Sequence, residues 1–598
     1  MPSGLSIGER IMKWLGRAVF WLITLVIILI VATALVVQTS WGTKQVSALI
    51  SDNTRYKVSL SAISHSLSSP SLISLSDVSI STVSGDFALE AANVELTLDW
   101  HSFSEPGWFA RIIVQKGDIE ISDAADSSTL PVSAGLLQLN QTALRRTDGN
   151  RVIDAEGVTG GITPWQPQGS DLTGNGKYQF SANSLNYYGL PLKNILTQGE
   201  VSGKQFTFDN LTATLENGLI TATGRRSAEG QWQLDNLLLN DIRWQTPQTL
   251  TQLTDSTENL PDIQARNITA TNIKLEGHQW AVNYLEGTVK NLAFKQGRWQ
   301  TDNGQADIAA ADLTLSGQHF SDIISTLELR GDQIAVNRLT GRYDKSILRF
   351  TGEWNRATRT LDITSGVADN LLYSFPEQWF AALQEAAPQG IDTIRLQDIK
   401  VSNALLIDTQ PVFPFQLTNV NGYIKTMQIL KSGQWGLWDG ELSVSAGNAT
   451  FNRVELHRPY LTLTAGTDSA ATTQFAASAG EGLLKMQFQA TPSGTAPFSF
   501  TLQATGADSQ ILSQWGWQPA PLTGSANYTL RLNGQLRAED IRSTLSGMLS
   551  GQDKQGDQIN RAITQGQMSN PPGSAEPVPS APPAQRVIPD NSETGEIL

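Results

Sequence analysis

Apolar and polar residues alternate with a period of two along most of this chain. Ala92, Val94, Leu96, Leu98 and Trp100 alternate with Asn93, Glu95, Thr97 and Asp99. That pattern predicts a strand with one apolar and one wet face. The same alternation recurs at Tyr178, Phe180 and Ala182, at Phe206 and Phe208, and at Phe413, Phe415 and Leu417. It returns at Leu442, Val444 and Ala446, at Leu461 and Leu463, and at Tyr528, Leu530 and Leu532. Turn signals lie at Asn217-Gly218, Asp302-Asn303-Gly304 and Asn421-Gly422. Helices are expected to be few and short: 43–50, 249–254 and 376–387. The last has Pro376 suited to a first turn and Trp379, Phe380 and Leu383 on one face.

The strands repeat in groups. IQARNITATNIKL at 263–275 matches IRLQDIKVSNALL at 394–406 in apolar pattern, setting Asn272 against Asn403 and placing Ile273 and Leu275 on an apolar face. A Gly-x-Trp corner follows each, at Gly297-Arg298-Trp299 and Gly433-Gln434-Trp435. A weaker copy begins at Ile112-Ile113-Val114, giving repeats near 112–240, 263–390 and 394–530. Taken singly, each corner Trp is best read as a large ring covering a turn.

Two segments break the pattern. Residues 18–37 form an uncharged apolar run of 20 residues, about 30 Å as a helix and so matched to a bilayer core. Arg10, Lys13 and Arg17 precede it, which predicts a cytoplasmic tail at 1–17, a signal anchor at 18–37, and an exported β-rich region at 41–550. Ala32-Thr33-Ala34 offers a signal-peptide cleavage site as the alternative, but the apolar run continues past it. Residues 569–598 hold seven of the 25 prolines and are expected to be disordered.

Composition narrows the chemistry. The net charge of −14 argues against nucleic acid as a partner. Cys is absent, and the five His are too far apart for a local metal motif. Gly4-Leu5-Ser6-Ile7-Gly8 matches G-x-S-x-G, but it sits in the short tail without the strand and helix that a nucleophile elbow requires. No catalytic, cofactor or metal residues are assigned, and no enzyme is expected.

The order of several segments resembles the AsmA family of Gram-negative inner-membrane proteins, particularly its shorter members. The carrying residues are the anchor followed by Gln38-Thr39-Ser40-Trp41-Gly42, Val46-Ser47-Ala48-Leu49-Ile50-Ser51, and Ser69-Pro70-Ser71-Leu72-Ile73 leading into Leu75-Ser76-Asp77-Val78. Further on come Gly160-Gly161-Ile162-Thr163-Pro164-Trp165, Ala449-Thr450-Phe451-Asn452-Arg453-Val454 and Gln514-Trp515-Gly516-Trp517. The resemblance implies a mainly β, single-pass inner-membrane protein with a periplasmic body, an elongated curved sheet forming a groove. It also implies phospholipid transport between inner and outer membranes, as in larger relatives that act as bridge-like lipid transfer proteins, with phospholipid acyl chains, the membrane and an envelope protein as partners.

A sheet with one apolar face must cover it with another layer or with ligand. The candidate groove residues are therefore Val94, Leu96, Leu98, Trp100, Phe206, Phe208, Ile273, Leu275, Phe413, Phe415, Leu417, Leu442, Val444, Leu461, Leu463, Tyr528, Leu530 and Leu532. At one strand per ~13 residues, positions 51–550 give about 38 strands, roughly 180 Å in a single row. The competing expectation is a non-catalytic assembly factor for outer-membrane biogenesis, in which the same residues form a packed core.

Overall fold

The computed structural model describes residues 22, 24, 25, 32, 33 and 35–569, apart from 67, 123–131, 149, 150, 168–173, 188, 251, 253–261, 296, 297, 377, 378, 380–389, 412, 492, 493 and 518–521. Most of the apolar run at 18–37, half of the helix expected at 249–254, most of that expected at 376–387, and the Pro-rich tail from 570 lie outside the described residues. Among the described residues no helix is long and apolar enough to cross a membrane. The chain divides into two compact units, residues 1–358 and 359–598.

The helix Ser40–Asn53 covers the expected 43–50. It starts there because the Thr39 side chain accepts from the Gly42 amide at 3.1 Å, satisfying one of the orphan donors of the first turn. In the N-terminal unit, Tyr56–Ser59 and Ala62–Ser66 both pair with Ser69–Thr82. From there each long strand pairs with the next in chain order: Phe87–Thr97, Arg111–Ser122, Leu137–Asp148 and Arg151–Thr163, and so on to Ser346–Asn355. In the C-terminal unit the same plan runs from Thr360–Asp369 to Gln567–Ser569. The result is mainly β, with long sheets of antiparallel strands.

Among the described residues, three parallel pairings of long strands interrupt that plan: Arg111–Ser122 with Leu137–Asp148, Trp232–Asn240 with Ile263–Gly277, and Thr360–Asp369 with Thr393–Asp408. The second strand of each pair then meets an antiparallel partner, and each of those ladders slips at an equivalent place. The slips fall between Leu139 and Thr142, Ala270 and Ile273, and Val401 and Ala404. Within each slip sits a left-handed residue: Gln141 (φ 52°), Asn272 (φ 53°) and Asn403 (φ 52°). Asn272 and Asn403 thus hold equivalent bulges. The third occurrence starts at Leu137, and the strand holding Ile112 is its parallel neighbour.

A bulge bends its strand and resets which face the following residues occupy. Asn tolerates left-handed φ because its short side chain bonds locally, whereas a branched Cβ clashes there. Asn403→Val should therefore cost about 1–2 kcal/mol of stability and Asn403→Gly far less, read by urea unfolding.

Several sequence expectations are corrected. Asp302-Asn303-Gly304 is no hairpin turn. It is the bulge at the start of Thr301–Leu315, with the ladder slipping between Thr301 and Gly304. Asn421-Gly422 lies inside Phe415–Lys431, whose pairing runs on through both residues. Trp100 does not extend the strand, which ends at Thr97; it opens the short helix Trp100–Ser104, capped by Asp99. Phe413 precedes its strand, which begins at Phe415. Strands Gln558–Thr564 and Gln567–Ser569 carry β structure beyond residue 550.

Candidate functional site

Following strand partners across the sheet of the N-terminal unit traces rows of residues on one face. One row reads Leu75, Val94, Val114, Leu139, Gly160, Phe180, Thr197 and Leu211. It continues through Ala222, Leu237, Ile268, Val289, Ala306, Leu327, Val336 and Gly352. Thr197 is its one polar member. Sixteen strands at ~4.8 Å spacing carry this row over about 70 Å. A second row runs beside it: Ile73, Leu96, Ile112, Leu137, Ile162, Tyr178, Gly199, Phe208, Gly224, Leu234, Ala265 and Leu292. The opposite face of the same strands reads Ser74, Glu95, Ile113, Gln138, Gly161, Gln179, Gln198 and Asn210. The two faces are therefore chemically distinct along the unit.

Local chemistry keeps the row smooth. Gly160 has φ 147°, and a Cβ there would lie 2.1 Å from the Gln179 carbonyl oxygen. Phe180, its cross-strand partner, supplies the apolar surface that the glycine lacks. The Tyr178 hydroxyl donates to the Thr207 carbonyl at 3.0 Å. Burial pushes that phenol above its usual range, so it stays neutral among its apolar neighbours.

Coverage of the apolar face varies along the unit. Near its start, Phe109, Val132, Ala134 and Trp165 pack against Val94, Ile112, Val114 and Leu139, and these residues are buried or nearly so. From Phe180 to Val336 most of the row is only half-buried. A concavity of about 910 Å³ in this unit is lined by Phe208, Leu234, Ala265 and Leu292 of the second row together with Asp209, Arg225, Asp235 and Arg266. There Arg266 pairs with Asp235 at 2.8 Å and Arg225 donates to the Gln233 amide oxygen at 2.6 Å.

The C-terminal unit has two adjacent rows of its own. One reads Ala368, Val401, Gly422, Val444, Leu461, Phe475, Met486, Leu502, Leu530 and Leu549. The other reads Gly366, Ile399, Ile424, Leu442, Leu463, Thr473, Phe488, Phe500, Leu532, Gly547 and Ile563. Toward its end this face is packed shut. Leu456, Leu484, Leu502, Leu530 and Leu549 are fully buried, or within 2% of it, in one cluster with Ile511 and Leu512 of the helix Gln510–Gln514. Between the packed end and the half-buried Leu442, Val444, Leu461 and Leu463 lies an apolar cavity of about 410 Å³. Phe475, Met486, Phe488 and Phe500 line it, with Trp515 and Trp517 across from them. The Trp515 indole N–H donates to the Phe451 carbonyl at 3.1 Å. With that donor used internally, the cavity suits a hydrocarbon.

The candidate residues separate accordingly. Val94, Leu96 and Phe208 lie on the N-terminal rows, and Phe206 packs edge-on against Tyr178. Ile273 and Leu275 follow the Asn272 bulge and pair with Leu285 and Val282. Leu98 lies just past its strand, half-buried, its amide donating to Ser71. Trp100 is 90% exposed and belongs to no groove. Leu442, Val444, Leu461 and Leu463 sit on the C-terminal rows, and Phe413 stands 43% exposed at the cavity. Phe415 meets Phe451, and Leu417 pairs with Ala449. Tyr528, Leu530 and Leu532 are buried core. Burial raises the pKa of the Tyr528 phenol, whose hydroxyl donates to the Asp508 carbonyl at 3.4 Å. Sequence reasoning missed Phe475, Met486, Phe488 and Phe500, although period-two alternation marks them.

Among curated proteins, the chain is 30% identical over 561 residues to AsmA family protein YicH of Escherichia coli (strain K12), spanning 94% of this chain and 98% of that relative. The chain belongs to the AsmA family. AsmA membership agrees with the order of segments noted in the sequence and with a large β body of the kind expected for an envelope protein. No family model matches the chain, and no solved structure matches it. The name of this AsmA relative states no substrate.

Proposed function

We propose that this AsmA-family protein is anchored in the inner membrane by residues 18–37 and holds phospholipid acyl chains along the apolar face of its periplasmic sheet, contributing to phospholipid movement between inner and outer membranes. The observation that carries this reading is the row from Leu75 to Gly352: apolar or glycine at every strand but one, and half-buried over most of its length. An apolar face of that extent left uncovered would draw proteins together, whereas an acyl chain covers it without needing a directional contact. Headgroups would stay at the wet rim of the sheet. No catalytic group is required, and direction would come from the membranes or from an envelope partner.

The C-terminal core favours a second reading, a non-catalytic assembly factor for outer-membrane biogenesis. There the apolar face is closed by the chain's own leucines and Trp515. Lipidomics of gently purified full-length protein separates the two. Phospholipid retained in more than stoichiometric amount, and lost when Leu237 and Val289 are both changed to Asp, is expected of a lipid-holding face. Lipid-free protein would leave the assembly reading.

A further inference from the structure

We propose that the short helix Trp100–Ser104 is an aromatic foot that inserts into the periplasmic leaflet of the inner membrane, beside the point where the chain leaves the apolar run at 18–37. This rests on the reading of that run as a membrane anchor.

The rings are presented outward. Trp100 is 90% exposed and Phe103 is 75% exposed, with ring centroids 6.1 Å apart. Three residues apart, they share one face of the helix. Asp99 fixes that face: its carboxylate accepts from the Ser102 amide at 3.0 Å, and the Ser102 hydroxyl accepts from the Asp99 amide at 3.0 Å. A folded protein that holds two large rings rigidly in water gains nothing from them in its own core. Trp and Phe at a bilayer surface bury that area among headgroups and upper acyl carbons.

Strand pairing places the foot at the membrane end of the sheet. Gln38, the residue after the apolar run, donates to the His65 carbonyl at 3.3 Å. His65 pairs with Ile73, and Ile73 with Leu96. That puts the Gln38 contact two strands, about 10 Å, from Leu96. The Leu98 amide donates to the Ser71 carbonyl at 2.8 Å, so the chain turns into the foot on the same sheet edge. Trp41 is on the first turn after Gln38 and is 64% exposed. The exit of the apolar run and three exposed aromatic residues thus share one edge. Asp99 and Glu105 carry carboxylates beside the rings, the His101 ring lies 4.0 Å from Glu105, and Arg111 pairs with Thr97 where the strand ends. No lysine or arginine lies within Trp100–Ser104, so the attraction is of rings to lipid rather than of a basic cluster to anionic headgroups.

The occupant is therefore the bilayer, and the natural absence of Cys makes the test direct. Full-length protein carrying Phe103→Cys, Leu25→Cys or Val83→Cys, each labelled with an environment-sensitive fluorophore, is reconstituted into phosphatidylethanolamine–phosphatidylglycerol vesicles with and without nitroxide-bearing lipid. Val83 is 70% exposed and follows the opposite end of Ser69–Thr82. The probes at Phe103 and Leu25 should be quenched several-fold more than that at Val83. Quenching at Leu25 with Phe103 behaving like Val83 overturns the foot and leaves the anchor standing. Quenching at neither Leu25 nor Phe103 overturns both. Equal quenching at all three positions overturns the placement of the foot.

Discussion

Replacing Leu530 with aspartate should unfold the C-terminal unit, whereas the same change at Leu96 should leave the fold intact and abolish lipid contact. Leu530 is 2% exposed and pairs with Leu502 and Leu549 in a cluster closed by Leu484 and Leu512. Deleting a buried leucine side chain alone costs about 2–5 kcal/mol, and an unpaired carboxylate in the same place adds its desolvation cost. Together these approach the whole stability of a domain, about 5–15 kcal/mol. Leu96 lies half-buried on a row, between Ile73 and Ile112, where a carboxylate can reach water from the face. Near-UV circular dichroism and limited proteolysis of the full chain distinguish the two outcomes. A stable Leu530→Asp protein would mean that the C-terminal face is not packed as described. Phe208 should behave like Leu530, since it is buried against Trp232 with ring centroids 5.7 Å apart.

Ile268→Asp should divide the N-terminal row into two compartments. Ile268 sits between Leu237 and Val289, near the middle of the half-buried stretch. A carboxylate facing hydrocarbon costs about 2.5–3.5 kcal/mol by membrane-insertion scales, which is on the order of a 100-fold obstacle to an acyl chain crossing that point. With lipid entering from the anchored end, photo-crosslinks at Phe180 should persist in cells while those at Leu327 fall by more than an order of magnitude. Equal yields at the two sites would show that lipid does not travel along the row.

Much of this was legible in the sequence, and the rest was hidden for identifiable reasons. The alternation at Tyr178 and Phe180, or at Leu461 and Leu463, marks a strand because each side chain on one face meets an apolar partner across the ladder. Alternation fails where a left-handed residue resets the faces. Ile112 and Val114 keep step, then the apolar positions move to Gly117 and Ile119 after Lys116 (φ 49°). Ala270 and Ile273 are separated by Asn272 in the same way. The slip between Thr301 and Gly304 carries the same Asn-Gly signature as a hairpin, which is why Asp302-Asn303-Gly304 reads as a turn. Trp100 continued a strand by period alone, but the Asp99–Ser102 capping pair ends it. Which residues line a groove and which form core was not legible. Alternation identifies an apolar face but not the segment that covers it. Trp515 reaches the Phe451 carbonyl from 64 residues away, and Trp165 closes over Val114 through a bridge with Ala134. The matched segments around Asn272 and Asn403, by contrast, recorded a real equivalence of bulge and parallel neighbour.

One face of the N-terminal sheet should carry lipid and the other should not. A photo-crosslinking amino acid placed in turn at Phe180 and Val289, and at their outward neighbours Gln179 and Lys290, tests it in living cells. Phospholipid adducts should form from Phe180 and Val289 and be absent from Gln179 and Lys290. Adducts from both faces alike, or from neither, would contradict a lipid-bearing apolar row.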